Sequence, residues 1–109
     1  MNELMNTLAA IEPQGEGDFA YEIYSGLLSD CNNHFYCSSL LDGLKVVAEK
    51  EQEALASGEY NHDDANLVGL YVINNREFYI DDLADKLKGV KTNKKILPNT
   101  WGPGYQVIA

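Results

Sequence analysis

The sequence predicts an α+β domain: N-terminal helices packed on a small antiparallel sheet, with one short helix inserted at 81–88. A hairpin over 67–80 and C-terminal strands make up that sheet. Three observations carry this expectation. Residues 39–57 repeat apolar side chains at helical spacing between a serine and a glycine. Leu67–Ile73 is rich in branched and aromatic residues and is separated from Arg76–Ile80 by Asn74-Asn75. A Gly102-Pro-Gly104 turn divides Ile96-Leu97 from Tyr105–Ile108. A chain of 109 residues without a linker or repeat is read as a single domain spanning 1–109.

Taken in order, Leu4, Leu8 and Ile11 predict a helix over 3–11, which Pro13 stops. Residues 13–17 form a loop. Asp18 is then placed to cap a second helix with Phe19, Ile23 and Leu27 along one side, fading in the polar run Ser29–Asn33. Ser39, with Asp42 three places on, opens the third helix. Leu40, Leu41, Leu44, Val47, Ala48 and Leu55 supply its apolar face, and Asp42, Lys45, Glu49, Gln52 and Glu53 its polar one. Gly58 supplies a left-handed stop. Two asparagines tolerate the positive φ of a two-residue hairpin turn, which sets Tyr71 opposite Phe78 and Val72 opposite Glu77. Asp81 caps a short helix carrying Leu83, Ala84 and Leu87, ended by Gly89.

Charge is distributed unevenly. Residues 1–85 hold all 17 acids and only Lys45, Lys50 and Arg76, a formal charge of −14, whereas residues 86–109 hold five lysines and no acid. The total is −9. Such asymmetry points to partners more than to fold. No apolar run approaches the length that spans a bilayer, and the start lacks a secretory pattern, so a cytoplasmic protein with no membrane partner is expected.

Four groups of residues invite a chemical reading. Cys31, His34 and Cys37 recur at three-residue intervals in DCNNHFYC, and thiolate and imidazole are zinc's preferred ligands, with His62 or Asp63 to complete four. The C-x2-H-x2-C spacing matches no common zinc template. Buried thiols and a partly exposed histidine between two helices are the reading preferred, and neither a metal nor a cofactor is expected. A nucleophilic cysteine needs a lowered pKa, which the surrounding carboxylates oppose. The acid pairs Asp63-Asp64 and Asp81-Asp82 accompany no EF-hand loop and no nucleotide motif, and Asp81-Asp82 fits a helix start. No enzymatic activity is expected.

The third group is the lysine-rich stretch that ends in TWGPGYQV. Lys91, Lys94 and Lys95 with Trp101 and Tyr105 form a secondary basic and aromatic surface that suits phosphates and bases. Thr100, Gly102, Gly104 and Tyr105 make this end similar to the wing hairpin of OmpR-type winged-helix domains. That resemblance implies a DNA-binding regulator using residues 81–109. The helix before such a wing should be basic, whereas IDDLADKL begins with acids. The −14 portion also opposes direct nucleic-acid binding, and the lysines complement the chain's own acidic body.

The fourth group is the acidic surface. Glu49, Glu51 and Glu53 close the long helix, and Glu59, Asp63 and Asp64 follow. The expected contact region is 49–64, with Glu49, Glu53, Glu59, Asp63 and Asp64 as the partner-binding residues. Clustered charge of this kind steers association with a basic surface. The function expected is therefore a small acidic inhibitor that binds a basic, nucleic-acid-handling protein. Its carboxylates stand in for phosphates, as in anti-defence proteins of phages or mobile elements. A toxin-neutralising immunity protein is the alternative that charge alone does not separate.

Overall fold

The computed structural model describes residues 2–28, 33–60, 68–91, 95–99, 102 and 104–108. Helix α1 (Asn2–Ala9) leads through a short 3-10 turn (Gly17–Phe19) into β1 (Tyr21–Ser25) and β2 (His34–Cys37). Helix α2 (Leu40–Ser57) follows, then β3 (Leu70–Ile73), β4 (Arg76–Tyr79), the one-turn helix α3 (Leu83–Lys86), β5 (Lys95–Pro98) and β6 (Tyr105–Ile108). The six strands form one sheet in the order β4-β3-β1-β2-β6-β5. All neighbours are antiparallel except β2 and β6, which run parallel. Among the described residues, no helix is long and apolar enough to cross a membrane.

The α+β class stands, but the sheet is larger and mixed, and β1, one of its two central strands, takes the place of an expected helix. Residues 21–25 form β1 where a second helix was expected from Asp18. Phe19, Ile23 and Leu27 share helical spacing by coincidence, and Phe19 is exposed. The period that governs is two: Ile23 and Ser25 are fully buried while Glu22 and Tyr24 face the other way. HFYC obeys the same alternation, with Phe35 and Cys37 inward and His34 and Tyr36 outward. It forms β2, beside β1, rather than lying between two helices.

Helix α2 matches its expected bounds. Ser39 accepts a hydrogen bond from the Asp42 amide at 3.4 Å, and Gly58 closes the helix at φ 77°. Its buried face differs from the expected stripe. Gly43, Val46, Glu51 and Ala54 are buried with Leu40, Leu44, Val47 and Ala48, whereas Leu55 is 48% exposed. The helix lies close on the central strands. A β-carbon at Gly43 would collide with Cys37 Sγ and come within 2.9 Å of Ile23 Cδ1. Glycine in a helix interior costs about 1 kcal/mol relative to alanine, and here the close approach requires it.

The hairpin has the expected register. Tyr71 pairs with Phe78 and Val72 with Glu77, and Asn74 and Asn75 take φ of 49° and 68°. Helix α3 is shorter than 81–88, and its cap is Asp82 rather than Asp81. Asp82 sits in a left-handed conformation and its carboxylate makes no cap bond. Lys86 instead donates to the Asp81 carbonyl oxygen. The wing-like hairpin exists as β5 and β6, but as the edge of a six-stranded sheet, and the helix before it has four residues.

One hydrophobic cluster unites Leu4, Leu8 and Ile11 from the first segment with α2, α3 and the inward residues of β1, β2, β3 and β6. All of its strand residues lie on the α2 face of the sheet. On that face, Gly43→Ala is expected to destabilise the fold by about 1–3 kcal/mol, against its gain in helix propensity. Removing the opposing sulfur with Cys37→Ala should shrink the penalty in a double-mutant cycle read by denaturant unfolding.

Candidate functional site

The sequence-predicted residues fall into three regions. Glu49 and Glu53 are exposed on α2, and Glu59 is exposed just past the Gly58 cap. Lys50 pairs with Glu53 at 3.6 Å. Asp63, Asp64, His62, Cys31, Lys94, Thr100 and Trp101 lie outside the described residues. Lys91 and Lys95 are exposed, the latter on the edge strand β5. Tyr105 is half-buried, stacked on Phe35 at 5.6 Å between ring centroids, with Lys50 Nζ 5.6 Å from its own centroid.

Strand β2 separates the histidine and the cysteine that the motif sets three residues apart. Positions three apart on a strand point to opposite faces, so His34 and Cys37 cannot share one ion. Cys37 is fully buried under α2, and burial, with Asp42 nearby as the smaller cause, pushes its thiol up to about 12. It is a protonated packing group at neutral pH. His34 lies on the open face, where its Nδ1 is 3.6 Å from Glu22 Oε2 and Tyr36 donates to the same oxygen at 3.1 Å. Among the described residues, no three His, Cys, Asp or Glu side chains are grouped to hold a metal ion.

The acid that the sequence placed on the surface is Glu51, and the fold buries it. Glu51 is 6% exposed. Ser25 Oγ donates to its Oε2 at 2.7 Å and the Tyr71 hydroxyl to its Oε1 at 2.6 Å. Ser25 and Tyr71 are partners across β1 and β3, so two neighbouring strands hold one helical carboxyl. Burial raises the Glu51 pKa above its ordinary 4.5, and the two hydrogen bonds only partly offset this. Tyr71 is driven far above its usual range by burial first and then by Glu51. A signal was present in the sequence: Leu44, Val47, Glu51 and Ala54 follow alternating steps of three and four, which puts the acid on the apolar stripe.

Glu51 and Tyr71 lie at the floor of a groove of about 660 Å³. Leu27, Leu55, Val68, Ile80 and Leu83 line it, and Asp81, Asp82, Asp85 and Lys88 complete its border. A second hollow of about 370 Å³ carries Lys45, Glu49 and Glu53. Gln52 and Ala84 border both, so the two form one seam where α2 meets α3. Five exposed carboxylates from two parts of the chain thereby surround it: Glu49, Glu53, Asp81, Asp82 and Asp85. The two ion pairs among the described residues, His34–Glu22 and Lys50–Glu53, leave these acids unpaired with Lys86, Lys88, Lys91 and Lys95. Comparison with protein-family models, curated proteins and solved structures finds no match for the chain.

The buried carboxyl makes stability pH-dependent with a definite sign. Below 4.5 it is protonated in the folded and unfolded chains alike, and its contribution is fully present. Above that value the unfolded chain ionises first, so stability falls as pH rises until the folded carboxyl ionises too. Glu51→Gln keeps a hydrogen-bonding head and should lose this component of the slope. Glu51→Ala leaves two buried hydroxyls unsatisfied and a void, at a cost of about 2–4 kcal/mol. Urea denaturation across pH checks both.

Proposed function

We propose that the chain is a small, non-enzymatic binding protein whose acidic α2–α3 seam engages a basic surface on a nucleic-acid-handling protein and blocks it. The single observation behind this reading is the gathering of Glu49, Glu53, Asp81, Asp82 and Asp85 around one seam without ion pairs to the lysine-rich segment. Charges on a flat, exposed surface attract weakly one by one. Carboxylates around a common hollow reinforce one another's potential and steer a cationic surface to one place. In this reading the carboxylates stand in for the phosphates of a nucleic acid.

The aliphatic lining beneath these acids supports protein binding in particular. Phosphate mimicry alone needs only charge, whereas Leu27, Leu55 and Val68 offer contact area that a partner side chain can desolvate. Val68 and Leu55 are themselves large exposed hydrophobics, at 61% and 48%. They extend that contact to the border of the groove.

Affinity capture with the full chain from host lysate should retain a basic, nucleic-acid-handling protein that salt releases. Retention of neutral metabolic enzymes alone would overturn the reading. A Glu49→Gln, Glu53→Gln, Asp81→Asn, Asp85→Asn variant should slow association with the captured partner roughly tenfold or more at low salt, with unchanged unfolding behaviour. Association that keeps its wild-type rate would place the contact elsewhere.

A further inference from the structure

Glu51 is a buried carboxyl that has no cationic partner among the described residues. Its two oxygens offer about four lone-pair directions. Ser25 and Tyr71 fill two of them, and both point donors at the carboxyl. Among the described residues, no lysine, arginine or histidine lies within ion-pair distance of it. An ionised carboxylate buried in that setting is costly, and a cation brought to it offsets part of that cost. The groove gives the route, because Glu51 and Tyr71 are part of its lining.

The walls define what that cation carries. Leu27, Leu55, Val68, Ile80 and Leu83 are aliphatic and suit a run of methylenes. Asp81, Asp82 and Asp85 at the border repel an anion and attract a positive head on its way in. At about 660 Å³ the groove has room for one long side chain together with part of the backbone that bears it. The groups around the entering head are Ser25 from β1, Tyr71 from β3, Gln52 from α2, the three aspartates, and Lys88 as the chain's own cation.

We propose that this groove is an anchor pocket for one lysine or arginine side chain of the basic partner, whose cationic head pairs with Glu51 between Ser25 and Tyr71. The assignment rests on the proposed function for its partner, but the pocket is testable without that partner. Entry of the cation favours the ionised carboxyl, so a protonated Glu51 gives up its proton to solvent as the pair forms. Binding therefore weakens as pH falls toward the ordinary carboxylate range. The border aspartates set the approach and Glu51 sets the depth.

The probes are Nα-acetyl-arginine methylamide and its lysine counterpart, with the uncharged norleucine derivative as control, titrated into the full chain by NMR. Saturable shifts are expected at Glu51, Tyr71 and Leu83 with the two cations and not with norleucine. Affinity should fall by about tenfold or more in Glu51→Gln, whose fold is checked by its own spectrum, because a charge-assisted bond is lost. The same variant should lose the pH dependence. Equal binding by norleucine, wild-type affinity in Glu51→Gln, or no saturable shift would each overturn the pocket. Tighter binding of free arginine than of the blocked form would also overturn it, since that marks a small-molecule site. Probe binding with failed partner capture would leave the pocket standing and remove the proposed function alone.

Discussion

The position of α2 across the central strands is the constraint on which the rest of the molecule depends. Two contacts of different kinds fix it. At its first turns Gly43 lets the helix backbone approach Cys37 and Ile23 closely. Two turns further on, Glu51 is hydrogen-bonded by Ser25 and Tyr71. Dispersion tolerates small slides of a helix along a sheet, but a carboxyl held by two hydroxyls on adjacent strands does not. With the helix held at both points, its exposed side meets α3 along a defined seam. The acids of the seam take their relative positions from that docking, not from their spacing in the chain.

What could be read from the sequence follows from how local each signal is. Ser39 and Gly58 bracket α2, and Asn74-Asn75 fixes the hairpin register, because each signal is contained within a few residues. The strands β1 and β2 were hidden by their shortness. In Tyr21–Ser25 only Ile23 is a strongly apolar inward residue, and its helical neighbours Phe19 and Leu27 imitated a different period. The parallel pairing of β2 with β6 joins residues about seventy apart and leaves no local trace. For the site, Glu49 and Glu53 were legible as exposed helical acids. Asp81, Asp82 and Asp85 join them only through tertiary packing, and Glu51 was legible only as an acid out of place on an apolar stripe.

The two faces of the sheet divide the molecule's chemistry. The α2 face carries the core, the fully buried thiol and the buried carboxyl. The other face carries a hollow lined by Tyr24, Val72 and the His34–Glu22 pair, with Tyr36 hydrogen-bonded to Glu22. The acidic seam lies on the α2 side of the sheet, where α2 meets α3. A partner docking there would meet charge first and aliphatic surface second, the order that favours fast encounter followed by desolvation.

The parallel ladder between β2 and β6 also bears on assembly. Until residues 105–108 are in place, one side of β2 has no neighbour, and its amides and carbonyls form an open template at the middle of the eventual sheet. Loss of that final strand would therefore do more than trim an edge: β5 would have nothing to attach to, and a central strand would become the aggregation-prone rim. Strand β6 acts as the keystone of the sheet, through a pairing between residues about seventy apart in the chain.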